Sequence, residues 1–375
     1  MPRKRSMTYR GAGLDYEPID MFVKMAQTAA LRTAHNLDRH GYAEVEDTRT
    51  QSAYLIHTPL GYLGHTGEEL GTLPVAAQAF YEQTEGKTHC FESVGQGAVA
   101  AIVNDLITQN VIPLSVSMNV AAGSSEWFAD TRRGSDLING WRNGCKLARC
   151  SWGQGETSAL PDLIRPNQVH VTGSGVGLTS KKLLIHSSNI KEGDRIVFFH
   201  SSGVHINGVT LARKIARRQK KGYLTKLKSG QTYGDALLEP TNIYVGAIED
   251  CLNNGVEIAY SANMSGHGWR KVMRADAHFT YVIEELPPCP EIFEFIALNG
   301  PVSTREMFMV FNNGAGFMVI VPENSLELIA EVFEEHGKSY GFGYTNAGYV
   351  MKSKSKKVVI KPRGDLEILP DEPVH

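Results

Sequence analysis

The chain has 375 residues, 42% of them hydrophobic, and a formal net charge of −2 at pH 7. That is enough chain for two domains with a sizeable core, and it leaves no basic excess to draw in nucleic acid or an anionic membrane surface. No apolar run approaches the roughly 20 residues of a membrane span.

The basic start, Met-Pro-Arg-Lys-Arg, leads into no apolar segment and so does not read as a signal peptide. Five cysteines, scattered and without a C-x-x-C pair, disfavour both a disulfide framework and a structural zinc site and point to a reducing, cytoplasmic compartment. The 13 histidines are isolated, with no H-E-x-x-H, so packed or surface roles are expected for them.

Tyr9 to Asp15 is glycine-rich and without periodicity, and a helix follows Pro18, with Ile19, Phe22, Val23 and Ala26 on one stripe. Gln51 to His57 reads as a strand running into Thr58 to Thr66. Residues 67 to 92 are weakly patterned; Gly86-Lys87 is no phosphate-binding loop, because Tyr81 stands where the first glycine is required. Ser93 to Gln109 is predicted helical with Ser93 as cap, and Ser135 to Ala148 helical with Ser135 as cap. Ser151 to Pro161 carries a Gly-x-Gly turn with Glu156 and Thr157. Val169 to Leu178 reads as a strand, whose Gly173, Gly175 and Gly177 lack the spacing and the acid of a dinucleotide fingerprint.

Near Lys181 the composition turns polar, and a domain boundary is placed there, dividing 1–180 from 181–375. Arg195 to Phe199 is predicted as a buried strand that stops on Ser201-Ser202-Gly203 and restarts as a helix capped by Asn207, with Leu211 and Ile215 on its apolar face. Such a joint presents free N–H groups suited to an anion. Arg217 to Lys228 reads as a solvated charge run. Pro240 and Thr241 are expected to open a helix. Ser303 to Phe311 reads as a helix, Phe317 to Val321 as a strand, and Asn324 with Glu327 as a capping box before a helix over Leu326 to His336. Strands near 340–350 and 357–361 close the chain, and Pro370 and Pro373 mark a tail.

Several of these stretches, in this order, resemble one family. They are Tyr9-Arg10-Gly11-Ala12-Gly13-Leu14-Asp15, Val103-Asn104-Asp105-Leu106, Gly155-Glu156-Thr157, the run from Ser201 through Asn207-Gly208, Pro240-Thr241-Asn242-Ile243-Tyr244-Val245 and Phe311-Asn312-Asn313-Gly314-Ala315-Gly316. The chain is similar to phosphoribosylformylglycinamidine cyclo-ligase, the AIR synthetase family. The resemblance implies a two-domain α+β fold, an N-terminal domain whose strands pair in a homodimer, and an α/β C-terminal domain. It further implies ATP-dependent ring closure of a ribonucleotide substrate with Mg²⁺.

By the same resemblance Asp105 and Glu156 hold the metal, and Gly11, Gly13, Asp15, Asn104, Gly155 and Thr157 contact the nucleotide. His205 joins Asp105 as a catalytic group, and Ser202, Gly203, Asn207, Gly208, Asn312 and Gly314 hold the substrate. The sequence departs from the family at D-G-V-G-T-K, whose Asp position falls on Leu60 or Gly61 and whose Lys falls on His65 or Thr66. It departs again at Gly97 and Ala159, where acids are expected, and at Ser265-Gly266-His267-Gly268 with Arg270-Lys271, where T-G-G-G and E-N are expected. Two other readings keep the fold: an ATP-using relative with a different acceptor, and a non-catalytic dimeric subunit.

Overall fold

A computed structural model describes residues 7–370 except 9, 14–15, 47, 181–183 and 276–277. Tyr9, Asp15 and the boundary expected at Lys181 therefore lie outside the described residues. The first half runs α1 (Tyr16–Leu31), β1 (Ala43–Glu44), β2 (Tyr54–Thr58), β3 (Gly61–Glu69), α2 (Leu73–Gln83), α3 (Cys90–Ile107) and β4 (Ile112–Ala122). It continues through α4 (Glu126–Ala129), α5 (Thr131–Leu147), β5 (Ser151–Ala159) and β6 (Val169–Thr179). The six strands form one sheet in the order β1-β2-β3-β6-β4-β5, antiparallel except for the β4–β5 pair.

The second half runs β7 (Arg195–His200), α6 (Val209–Arg218), α7 (Tyr233–Leu237), α8 (Val245–Asn253), β8 (Tyr260–Asn263), β9 (Phe279–Ile283), α9 (Glu291–Asn299), α10 (Thr304–Val310) and β10 (Ala315–Val321). It closes with α11 (Ser325–Tyr340), β11 (Tyr344–Lys352), β12 (Lys357–Ile360) and β13 (Leu366–Ile368). Its seven strands are ordered β13-β12-β9-β11-β7-β10-β8. β7 lies inside this sheet, and its alternation is buried on both sides. Val197 and Phe199 join a core shared with the first half, while Ile196 and Phe198 join a second core on the other face.

Helix α3 is the element on which the halves meet. Every residue of α3 except Glu92 is buried, because the helix lies against β3, β4, β6 and α5 and also touches α8 and β8. Two of its amides reach across: Gln96 Nε2 donates to the Thr241 carbonyl at 2.9 Å, and Asn104 Nδ2 donates to the Asn242 carbonyl at 2.9 Å.

Local departures from the sequence reading have local causes. Ser93 is buried inside α3, which begins three residues earlier. The α5 cap is Asp130, which accepts from the Arg133 N–H. Pro240 and Thr241 sit in a loop ahead of α8 rather than at a helix start. The cap of α6 is Gly208, at φ 75°, one residue after the expected Asn207. A Cβ at Gly208 would stand 2.1 Å from Phe311 Cε1, so both the left-handed backbone and the available space call for glycine.

Candidate functional site

A cavity of about 400 Å³ opens between the two halves. Strand β3 ends on it at Glu68 and Glu69, and the loop Leu70-Gly71-Thr72 continues the wall. Asp105 enters from α3, Asn207 to Thr210 from the start of α6, and Asn263 from the end of β8. Ser265 to His267, Lys271 and Arg274 come from the segment after β8. Thr72 Oγ1 and Thr210 Oγ1 are 3.1 Å apart, which ties the glycine loop of one half to the helix start of the other.

The wall is divided by charge. On one side Asp105, 7% exposed, accepts from Asn263 Nδ2 at 2.6 Å and lies beside the carboxyl of Glu68. Burial, then the neighbouring Asp105, pushes Glu68 up to about 8 from an ordinary 4.5. Facing these acids, Lys271 is pushed down to about 8 by burial and by Arg274, against the pull of Asp105 and Glu68. Arg274 donates to Ser52 Oγ at 2.8 Å and to the Thr50 carbonyl at 2.9 Å, so it is anchored to the first half. Burial, together with Arg270 and Lys271, pushes His267 down to about 4, and it is neutral at pH 7. The first N–H groups of α6 also face the cavity, where they favour an anion.

Two carboxylates beside a lysine and a helix N-terminus are suited to holding a phosphate chain bridged by a hard divalent cation. The residues therefore fit Mg²⁺ and a nucleoside triphosphate, with Glu68 and Asp105 as the metal-facing pair once a cation has displaced the proton that Glu68 otherwise holds.

Of the residues expected from sequence, Asp105, Asn207 and Gly208 come together here. Glu68-Glu69-Leu70-Gly71-Thr72, an acidic pair followed by a glycine turn at the end of β3, was not among the expected site residues and lines the cavity. Leu60 and Gly61, where the motif's aspartate was expected, lie at the β2–β3 turn and the start of β3, outside the cavity, and Leu60 is 91% exposed. Gly97, where the family carries an aspartate, is buried inside α3 and does not line the cavity.

The other expected residues are placed elsewhere. Glu156 and Asp105 do not meet within the chain: Gly155, Glu156 and Thr157 are exposed on the edge strand β5, outside the cavity. Ala159, at the end of that strand, is exposed as well. Asn104 is 2% exposed, and its Oδ1 accepts from the Tyr244 N–H at 2.9 Å while its Nδ2 serves Asn242, so it joins the halves and does not line the cavity.

His205 does not line the cavity. It is 6% exposed at φ 60°, its Nε2 accepts from the Ser202 N–H at 3.3 Å, and burial pushes it down to about 3. Ser202, Gly203, Asn312 and Gly314 form a knot of loops behind the cavity rather than its wall. Ser202 Oγ donates to the Pro240 carbonyl at 2.6 Å. Asn312 Nδ2 donates to the Gly203 carbonyl at 2.9 Å, and its Oδ1 accepts from the Gly314 N–H at 3.0 Å. Gly11 and Gly13 lie on the exposed side of α6, where the Gly11 carbonyl accepts from Lys214 Nζ at 3.1 Å, and neither lines the cavity.

The linked carboxyls carry a pH signature. Glu68 keeps its proton when folded up to about pH 8 but loses it near 4.5 when unfolded, so the stability it confers is complete below about 4.5 and is lost as the pH rises towards 8. Lys271 is charged in both states below about 8 and does not contribute in that window. Glu68→Gln is therefore expected to match the parent in urea unfolding at pH 5 and to exceed it by roughly 1 to 3 kcal/mol at pH 8. Equal stability differences at both values would show that Glu68 is not held protonated.

Residues 79–179 match the family model described as AIR synthase related protein, N-terminal domain, and residues 191–360 match its C-terminal domain. The chain belongs to the AIR synthetase family. It is 34% identical to phosphoribosylformylglycinamidine cyclo-ligase of Carboxydothermus hydrogenoformans, over 69% of this chain and 75% of that protein. It is 32% identical to the enzyme of the same name from Pyrococcus horikoshii, over 90% and 94%. Among solved structures it resembles the hydrogenase maturation protein HypE in complex with ATP, with TM-score 0.56 and 13% identity over 84% of each chain, which establishes a shared fold. The α+β architecture with two AIR synthetase domains is thus shown. Among the described residues no helix is long and apolar enough to cross a membrane.

Proposed function

We propose that this chain is an ATP-dependent cyclo-ligase acting on formylglycinamidine ribonucleotide. The observation that carries the reading is the Glu68–Asp105 carboxyl pair set opposite Lys271 and the start of α6 in one cavity. In the reaction the formyl amide oxygen attacks the γ-phosphorus of ATP and ADP leaves. The amidine nitrogen then adds to the activated carbon, loses a proton, and the oxygen departs with phosphate as the imidazole closes. Mg²⁺, when bound, neutralises the phosphate oxygens during transfer.

The chain's own groups position and screen. Asn263 fixes the Asp105 carboxylate, Lys271 offers a positive charge to a phosphate oxygen, and the N–H groups after Gly208 hold an anionic group of the nucleotide or substrate. Purified protein with Mg²⁺, ATP and this substrate is expected to release one ADP and one phosphate per imidazole formed; no turnover at saturating substrate overturns the assignment.

The same reading places two copies together through β5. That strand is an edge exposed along almost its whole length, and α1 exposes Met21, Phe22 and Met25, 63 to 70% accessible. Gly155, Glu156 and Thr157 then belong to the interface between copies, and a homodimer in sedimentation equilibrium is expected. The halves 1–180 and 181–375 are taken as its two domains. The five cysteines are all free thiols, in keeping with a cytoplasmic setting.

A further inference from the structure

Away from the cavity, α3 and α5 come so close at two points that only glycine fits. A Cβ at Gly140 would stand 1.9 Å from the Glu92 carbonyl oxygen, and one at Gly95 2.2 Å from that of Leu137. The crossing fixes what lies beside it. His89 caps α3 and Glu92 stands three residues on, so both share one side of the first turn. Asp136 stands one turn before Gly140 on α5, and its Oδ1 is 2.9 Å from His89 Nδ1. One ligating atom from each of the three residues lies within 4.8 Å of the others.

Asp136 supplies the second, independent observation. It is 4% exposed, and its Oδ2 has no hydrogen-bond partner. A carboxylate at that depth requires partners for both oxygens, and His89 serves one. Among the described residues no lysine or arginine forms an ion pair with Asp136. Glu92 is the one exposed residue of α3 and adds a second negative charge to the cluster.

We propose that His89, Glu92 and Asp136 form a site for a borderline divalent ion of the zinc type, separate from the cavity that serves catalysis. An imidazole nitrogen and two carboxylates are the three-ligand set such ions accept, with water in the remaining position. Mg²⁺, which keeps most of its waters and takes oxygen ligands, suits the set poorly. The positive end of α3 opposes a cation with about half a charge, which two carboxylates outweigh. Cys90 is not a ligand, because its thiol faces the Ala77 carbonyl.

The test is a titration of the full chain with Zn²⁺, using Co²⁺ as the visible-absorption probe and Mg²⁺ as the control ion. The expected result is one equivalent bound per chain in the parent and in Asp105→Asn, with a Co²⁺ spectrum of low coordination number. Affinity should weaken more than about tenfold in His89→Ala and in Asp136→Asn. His89 is largely exposed at the surface, so its variant reads the site even if Asp136→Asn folds poorly. Binding unchanged in His89→Ala, or abolished by Asp105→Asn, overturns the proposal.

Discussion

Asp105→Asn is expected to lower turnover roughly a hundredfold to a thousandfold while leaving the fold in place. Its carboxylate is the one acid of the cavity fixed by a short hydrogen bond, from Asn263 Nδ2 at 2.6 Å, and an asparagine Oδ1 at the same place accepts that bond as well. The change therefore removes a negative charge with little change in shape. With the charge gone, a bound cation has one carboxylate fewer to hold it, and Glu68 alone does not make up the loss. Steady-state ADP release with matched circular dichroism and melting curves checks this. Turnover within threefold of the parent would remove Asp105 from the chemistry.

Gly208→Ala is expected to cost about 3 kcal/mol or more of folding stability. The residue sits at φ 75°, where a side chain is strained, and its new Cβ would meet Phe311 Cε1 at 2.1 Å. Phe311 is 1% exposed and has no room to withdraw. Because Gly208 also begins α6 at the cavity, nucleotide binding should weaken in parallel. Gly134→Ala is the internal comparison: this residue lies within α5 and a Cβ there meets nothing within 4 Å, so the same substitution should be neutral or stabilise by up to about 1 kcal/mol. Urea midpoints of the two variants decide the matter, and a Gly208→Ala shift as small as that of Gly134→Ala would be inconsistent with the crowding described here.

The elements legible in the sequence were those whose apolar pattern coincides with burial. Arg195 to Phe199 gives an unbroken strand because both of its faces are covered, and Leu211 with Ile215 marks the buried side of α6. The site was legible at Asp105, Asn207 and Gly208, and Arg270-Lys271 stood out as unexpected cations near the glycine segment. Glu68 was not singled out, because it opens a weakly patterned stretch, and the turn at Leu60-Gly61 offered a glycine loop eight residues earlier.

His205 and Asn104 misled in a different way. Each sits in a motif whose residue types suggest chemistry, yet each spends its polar atoms on neighbouring backbone, and only the partner distances reveal that. Residue type in one dimension does not tell whether a polar group is engaged within the protein or presented to a ligand.

Asn104 also bears on motion during a catalytic cycle. Swinging one half of the protein away from the other would expose an amide and a tyrosine N–H that are sealed from water, and would split an apolar interior that runs without a break from Met7 to Phe342. Hinged opening is therefore costly, and admission of substrates and escape of products fall to the short segments rimming the cleft.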